Sequence, residues 1–150
     1  MPKASQLGRP VEILLVEDSP SDALLTKEAL KRGKVNNSLH HVPDGVEALA
    51  YLRRQGDYAD APRPDVVLLD LNMPRKGGME VLQEVRADKD LECLPVIVLT
   101  TSDDERDVLE AYEFRANCYI TKPVDMQQFV AAMQALDGFW LTWVSLPSVK

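Results

Sequence analysis

The sequence has few of the residues that build extracellular or membrane-bound proteins. It contains two cysteines among 150 residues, Cys93 and Cys118, and neither lies in a CxxC pair or beside a histidine. We therefore expect two buried or half-buried thiols in a reducing compartment, without a zinc site or a redox disulfide. No run approaches the roughly 18 to 20 apolar residues of a membrane span, and the start, MPKASQLGRP, lacks the apolar core of a secretory signal. These absences predict a cytoplasmic protein with no membrane partner.

Basic residues are also in the minority. The chain has 17 Lys plus Arg against 24 Asp plus Glu, which gives a formal net charge of −7. An acidic surface repels polyanions, so we expect no nucleic-acid partner and no binding to anionic lipid. Hydrophobic residues nevertheless make up 45% of the chain, which is enough for a buried core and excludes a disordered protein.

Short apolar runs alternate with longer amphipathic segments along the chain. Continuous runs such as VVLL and VIVL indicate strands that are buried on both faces, as in a parallel sheet. The alternation predicts one α/β domain, a doubly wound (βα)5 fold with right-handed crossovers. The five predicted strands cover residues 11–17, 38–42, 65–71, 95–100 and 118–121.

Capping residues mark the predicted helices. Ser19, with Asp22 three residues later, predicts the start of the first helix, and Gly33 predicts its end. Ser102 and Glu105 repeat the capping pattern before the fourth helix. The last helix has an apolar face at i, i+3, i+4 and i+7, formed by Phe129, Ala132, Met133 and Leu136.

Polar side chains follow the strands at the end where a parallel sheet places its functional crevice. Two carboxylates about 4 Å apart repel by roughly 4 kcal/mol at an effective dielectric near 20, so a group of them needs a cation. Mg²⁺ prefers such oxygen ligands and often shares its coordination shell with a phosphoryl group. A carboxylate can also be the nucleophile that forms an aspartyl phosphate. The residues in question are Glu17, Asp18, Asp70, Asn72, Thr100 and Lys122.

Four segments, LLVEDS, DLNMP, LTTS and YITKP, resemble the motifs of the receiver domain of two-component response regulators. The resemblance covers roughly residues 10–137, with the motifs in order and at receiver-like spacing. It implies a flavodoxin-like fold whose five-stranded parallel sheet has the order 2-1-3-4-5. It also implies a signalling phosphoacceptor that catalyses only its own phosphotransfer and autodephosphorylation.

The resemblance assigns a metal site to four residues. It implies that Asp70 accepts the phosphoryl group from a sensor histidine kinase and also binds Mg²⁺. Asp18 would bind the ion directly, Glu17 through water, and Asn72 through its backbone carbonyl. Glu17 departs mildly from the family pattern, because aspartate is the commoner residue there.

The same resemblance assigns the phosphoryl contacts and the switch. Thr100 is similar to the hydroxyl residue that bonds the phosphoryl oxygens, and Lys122 to the lysine that pairs with them. Tyr119 is similar to the aromatic residue that turns inward as the threonine moves. Pro123 matches a proline that often follows a cis peptide bond.

The C-terminal segment is expected to do something besides completing the fold. We divide the chain into an N-terminal extension at 1–9, a receiver domain at 10–137 and an apolar tail at 138–150. The tail includes FWLTWVSLPSVK and both tryptophans, which either fold back over the domain or pack against a partner. We favour a symmetric homodimer through the tail and the face made by the fourth helix, fifth strand and fifth helix. The segments NCYITKP and FWL resemble small receivers that partner phytochrome-type histidine kinases, and the length leaves no room for an output domain.

Three other functions occur among α/β proteins of this kind. A pseudo-receiver scaffold would act without phosphorylation, although the acids, Asp70 and Lys122 are all present. An FMN-binding redox protein would need a phosphate loop rich in Ser, Thr and Gly where this chain has Glu17 and Asp18. A phosphatase of the haloacid dehalogenase type would need an acid in place of Asn72. His40 and His41 do not form a metal pair, because neighbours on a strand point to opposite faces.

Overall fold

The computed structural model describes Lys3 and residues 8–147 as a sheet covered by helices on both sides. The strands are β1 (Val11–Val16), β2 (Asn37–Val42), β3 (Val66–Leu69), β4 (Val96–Thr100) and β5 (Cys118–Thr121). The helices are α1 (Pro20–Lys31), α2 (Gly45–Leu52), α3 (Gly78–Ala87), α4 (Glu105–Glu113) and α5 (Met126–Phe139). A single 3₁₀ turn, Gly56–Tyr58, lies in the loop before β3. All neighbouring strands are parallel in the order β2-β1-β3-β4-β5, which is the order that the resemblance to receiver domains implies.

The sheet separates two apolar layers. Every residue of β3 and β4 is buried, which explains why these strands are continuous apolar runs. In β1 the side chains alternate: Leu14 and Val16 pack in the layer under α2 and α3, and Ile13 and Leu15 in the layer under α1 and α5. The strand order reverses between β1 and β3, so the crevice of this sheet lies where those two strands end.

The residue that caps α1 is the one predicted from the sequence, whereas the residue that caps α4 is not. Ser19 caps α1, and its Oγ accepts a hydrogen bond from the Asp22 N–H at 3.3 Å. At α4 the cap is Asp104 and not Ser102: the Asp104 carboxylate accepts from the Arg106 N–H at 2.9 Å, whereas the Ser102 hydroxyl donates to Asp107 at 2.5 Å. Ser102 therefore belongs to the loop between β4 and α4.

Gly33 follows the end of α1 for a reason that the sequence does not reveal. A Cβ atom at Gly33 would lie 2.4 Å from Oδ1 of Asp137, a buried residue of α5. The Asp137 carboxylate accepts hydrogen bonds from the backbone N–H groups of Lys34 at 2.9 Å and Val35 at 3.3 Å. The glycine thus permits a close contact between the α1–β2 loop and α5.

Part of the C-terminal segment folds back on the domain. Leu141 and Leu146 are buried in the layer that α1 and α5 form with the sheet. Phe139 and Trp143, by contrast, remain 60% and 65% exposed. Lys3 forms an isolated antiparallel bridge with Ser145, and its ammonium lies 5.5 Å from the centre of the Trp143 ring. Of the expected extension and tail, residues 1–2, 4–7 and 148–150 lie outside the described residues.

The two thiols differ from each other. Cys118 is half-buried, as expected, but the expectation is wrong for Cys93, which is exposed. Cys93 lies in the turn before β4, where Leu91 and Leu94 point into the core and the residues between them face solvent. None of the helices within Lys3 and residues 8–147 has the length and apolar character to cross a lipid bilayer.

Candidate functional site

Glu17 continues the line of β1 into the crevice and is 2% exposed. Its backbone carbonyl accepts a 2.6 Å hydrogen bond from Nε2 of His41, the neighbouring strand's residue. Its Oε2 accepts from the backbone N–H of Ser19 at 3.2 Å. His40, on the other face of β2, packs against Tyr51 with ring centres 4.6 Å apart, so the two histidines point apart as expected.

Three carboxylates meet at this point. One carboxylate oxygen from each of Glu17, Asp18 and Asp70 lies within 4.8 Å of the others. Asp18 is exposed, whereas Asp70 is 6% exposed. The cluster therefore has two buried acids and one that faces solvent.

Lys122 is the cation of the cluster and is buried with it. Its ammonium donates to Glu17, to Oδ2 of Asp70 at 3.2 Å and to Oδ2 of Asp22 at 3.0 Å. The Lys122 N–H donates to the carbonyl of Thr100 at 2.6 Å, which ties the ends of β5 and β4 together. The peptide bond to Pro123 is trans, contrary to the expectation of a cis bond. The carboxylates of Glu17, Asp22 and Asp70 orient the Lys122 side chain instead.

Burial and the charges of neighbouring side chains shift the pKa values of Glu17 and Lys122. Burial, assisted by the nearby Asp70 carboxyl, raises the pKa of Glu17 to about 7 against the opposing effect of Lys122. The pKa of Lys122 rises because its hydrogen bonds and charge contacts with Glu17, Asp22 and Asp70 outweigh burial, which opposes the charge. The ammonium of Lys122 is thus accompanied by four carboxylates, those of Glu17, Asp18, Asp22 and Asp70. The site therefore has an excess of negative charge that favours a further cation.

The loop after β3 is held close to the cluster. The backbone N–H of Asn72 donates to Oδ1 of Asp70 at 3.2 Å. A Cβ atom at Gly78 would lie 2.1 Å from the Asp70 carbonyl, so α3 can begin against this loop only with glycine there. Arg75, at a φ of 68°, donates to the buried carboxylate of Asp44 at 3.1 Å. These contacts fix the backbone that carries Asn72.

Thr100 and Tyr119 lie on the next two strands. Thr100 is fully buried at the end of β4, and its Oγ1 accepts a weak 3.4 Å hydrogen bond from the Ser102 N–H. Tyr119 is half-buried on β5 and donates from its hydroxyl to the Ser102 carbonyl at 2.7 Å. The tyrosine is thus attached to the loop that follows Thr100.

The predicted residues fall into two groups by contact. Glu17, Asp18, Asp70 and Lys122 form one cluster, and Asn72 joins it through its backbone. Thr100 meets Lys122 through the backbone, and Tyr119 reaches only the loop after Thr100. The sequence interpretation missed the contact of Asp22 with Lys122, because an acid in the first turn of a helix is already explained by capping.

The donor set suits a hard divalent cation. Mg²⁺ and Mn²⁺ take carboxylate and carbonyl oxygens, and the cluster offers the carboxylates of Glu17, Asp18 and Asp70. It offers neither thiolate nor imidazole nitrogen, the ligands that zinc favours. A bound divalent ion would offset the excess negative charge and leave Lys122 to neutralise an incoming anion.

Known proteins with the same pattern are response regulators. The family model for the response regulator receiver domain matches residues 13–134. The response regulator Rcp1 of Synechocystis sp. (strain ATCC 27184 / PCC 6803 / Kazusa) is 45% identical over 139 residues, which is 93% of this chain and 95% of Rcp1.

Solved structures agree in fold and sequence. The crystal structure of the Mn²⁺-bound form of Rcp1 matches with a TM-score of 0.89 at 45% identity, over 93% of this chain and 100% of that one. The phosphorylated cyanobacterial phytochrome response regulator RcpA matches with a TM-score of 0.90, also at 45% identity and with the same coverage. A regulator in red light signalling of R. palustris, RPA3017, matches with a TM-score of 0.84 at 37% identity, over 92% of this chain and 99% of that one. With the family model and these relatives in agreement, the chain belongs to the response regulator receiver domain family and is similar to phytochrome response regulators.

Proposed function

We propose that this response regulator accepts a phosphoryl group on Asp70 from the phosphohistidine of a sensor histidine kinase, with Mg²⁺ as the cofactor. The observation that carries the proposal is the contact between Lys122 and Asp70, 3.2 Å apart, beside the acids Glu17 and Asp18. A nucleophile, a fixed cation and a set of oxygen ligands are the parts that phosphoryl transfer requires.

In the proposed transfer, an Asp70 carboxylate oxygen attacks the phosphorus of the phosphohistidine. The new O–P bond forms as the N–P bond breaks, and the imidazole leaves with the electron pair of that bond. Lys122 neutralises charge on the phosphoryl oxygens, and the Thr100 hydroxyl donates a hydrogen bond to one of them. A bound Mg²⁺ would supply charge neutralisation at the same oxygens, held by Glu17, Asp18, Asp70 and the carbonyl of Asn72. Catalysis ends at this protein's own phosphotransfer and autodephosphorylation.

The response to phosphorylation follows from the contacts of Tyr119. Thr100 moving toward the phosphoryl group would shift the loop that begins at Ser102, and the Tyr119 hydroxyl is bonded to that loop at 2.7 Å. The surface of α4, β5 and α5 would thus have one arrangement before this movement and another after it. The phosphoryl group would favour the arrangement with which it makes the better contacts. Tyr119 is therefore the proposed switch residue together with Thr100.

The proposed partners are proteins. The similarity to Rcp1 and RcpA supports a phytochrome-type histidine kinase as the donor. A second copy of the chain is the proposed partner of the surface on α4, β5 and α5 and of the tail, because large apolar side chains are exposed there. The net charge of −7 argues against nucleic acid. Because a histidine kinase takes its phosphoryl group from ATP, this donor supports a cytoplasmic location for the response regulator. The exposed side chains of this surface are Leu109, Tyr112, Val124, Met126, Phe139 and Trp143.

A small acyl phosphate with Mg²⁺ tests the function without knowledge of the kinase. We expect the intact mass to increase by one phosphoryl group, and EDTA to abolish the increase. A protein that gains no mass with Mg²⁺ or from any kinase would be the phosphorylation-independent scaffold instead. A panel of purified phytochrome-type kinases, each labelled with ATP, then tests the donor class by the transfer rate.

A further inference from the structure

Asp22 lies in the first turn of α1, and its carboxylate contacts Lys122 beside the carboxylate cluster. Its Oδ2 lies 3.0 Å from Lys122 Nζ, and its side chain is 30% exposed. Its main chain is held separately, because the N–H donates to Ser19 and the carbonyl accepts from Thr26 at 2.8 Å. The helix start therefore does not require the carboxylate of Asp22, which is available for Lys122.

The hydrogen bonds of Lys122 set Asp22 apart from the other acids. An ammonium group has three N–H donors, and those of Lys122 are directed to Glu17, Asp22 and Asp70. Glu17 and Asp70 also belong to the cluster of oxygens that suits a divalent cation, together with Asp18. Asp22 is thus the acid that contacts Lys122 without belonging to that cluster.

Ligand binding at the cluster would loosen the other two contacts. A divalent ion held by Glu17 and Asp70 would compete with Lys122 for their oxygens, and a phosphoryl group on Asp70 would replace one carboxylate contact. A lysine side chain has a flexible four-carbon stem, and ordering it costs rotamer entropy. An anchor that persists through these changes keeps the ammonium over the site.

We propose that Asp22 is a positioning residue, which holds the Lys122 ammonium at the edge of the site through a contact that metal binding and phosphorylation leave intact. The inference rests on the proposed function of Asp70. Asp22 touches neither the reacting oxygen nor the ligand cluster, and it acts only through Lys122.

Three variants isolate this role. Asp22→Ala removes the anchor, Asp22→Asn keeps an oxygen acceptor of the same length, and Glu28→Ala removes an exposed carboxylate from the same helix as the matched control. Each is phosphorylated with a small acyl phosphate at saturating Mg²⁺, and the rate is followed by intact mass. Mg²⁺ affinity is measured by calorimetry, and thermal unfolding checks that each variant is folded.

We expect Asp22→Ala to be phosphorylated about five- to tenfold more slowly than the wild type, because it lacks one partly exposed, charge-assisted hydrogen bond to Lys122. The phosphorylation rate of Asp22→Asn should lie between those of Asp22→Ala and the wild type, and the rate of Glu28→Ala should equal that of the wild type. Mg²⁺ affinity should change by less than about threefold, because Asp22 is outside the ligand cluster and partly screened. A merely structural role of Asp22 would not produce this separation of rate from metal affinity.

Other results overturn the inference in distinguishable ways. A rate for Asp22→Ala equal to or above that of the wild type would show that Lys122 needs no such anchor. A slower rate with a parallel loss of Mg²⁺ affinity would make Asp22 part of the metal site. A wild-type protein that gains no phosphoryl group would refute the proposed function itself, and this inference with it.

Discussion

The ammonium of Lys122 lies 3.2 Å from Oδ2 of Asp70, although 52 residues separate them in the chain. Lys122 follows β5 and Asp70 follows β3, and β4 lies between these strands in the sheet. The lysine side chain therefore passes over the end of β4, where Thr100 is buried. Lys122, Asp70 and Thr100 therefore lie at the same end of the sheet.

Removing Lys122 should destabilise the metal-free protein more than the metal-bound one. Lys122→Met leaves the buried acids Glu17 and Asp70 without their cation, and breaking a buried ion pair typically costs about 3–5 kcal/mol. Because a divalent cation would replace the lost charge, Mg²⁺ should restore more stability to the variant than it adds to the wild type. Urea unfolding in EDTA and in Mg²⁺ measures both differences. Equal stability of the two proteins in EDTA would contradict the role of Lys122 as counterion.

The buried carboxylate of Asp137 should be a large contributor to stability far from the site. Asp137→Ala leaves the N–H groups of Lys34 and Val35 without their acceptor, which we expect to cost about 2–3 kcal/mol. Gly33→Ala should also destabilise, because its Cβ would lie 2.4 Å from the Asp137 carboxylate. Urea unfolding of these variants is compared with that of Asp60→Ala, an exposed acid in a loop. Wild-type stability of Asp137→Ala would contradict this account.

The two kinds of side chain in the tail should respond differently to truncation. Leu141 is 1% exposed, and Leu141→Ala should lower the free energy of unfolding by about 2–4 kcal/mol. Trp143→Ala should change stability by less, because Trp143 is mostly exposed, but should weaken the proposed homodimer. Sedimentation velocity over a range of concentrations, with and without phosphorylation, measures the dimer. A wild type that is monomeric in both forms rejects the dimer.

The hydroxyl of Tyr58 donates to the Glu47 carboxylate at 2.7 Å, and this bond raises the pKa of Tyr58 to about 12. Because the neutral tyrosine is the form that donates, the bond stabilises the fold fully below the ordinary tyrosine pKa near 10. The contribution should be lost as the pH rises from about 10 to about 12. Spectrophotometric titration of the wild type and Glu47→Gln checks this, and the variant should titrate at lower pH. An unchanged titration would show that Glu47 does not cause the shift.

The sequence predicted the elements that depend on local pattern. Strand runs such as VVLL, the Ser19 cap and the apolar face of α5 each reflect residues near one another in the chain, and the structure confirms them. The convergence of Glu17, Asp18 and Asp70 also followed, because parallel strands bring their ends to one edge. Their chemical roles came from the resemblance to receivers and remain predictions.

Contacts between segments that are distant in the chain could not be predicted from the sequence. Asp22 already had a local explanation as a capping acid, so its bond to Lys122, 100 residues away, left no separate signal. Gly33 was interpreted as a helix stop, whereas its position against Asp137 depends on how α1 and α5 pack. Ser102 was expected to cap α4, but its bonds to Asp107 and Tyr119 keep it in the loop.

The site of phosphorylation is the most direct test of the central claim. The wild type is treated with a small acyl phosphate and Mg²⁺, and the modified residue is mapped by peptide mass spectrometry, with Asp70→Asn and the exposed-acid control Asp60→Asn treated in parallel. We predict one phosphoryl group on Asp70 in the wild type and in Asp60→Asn, and none in Asp70→Asn. A phosphoryl group on another residue of the wild type, or equal labelling of Asp70→Asn, would contradict the assignment of Asp70 as the phosphoacceptor.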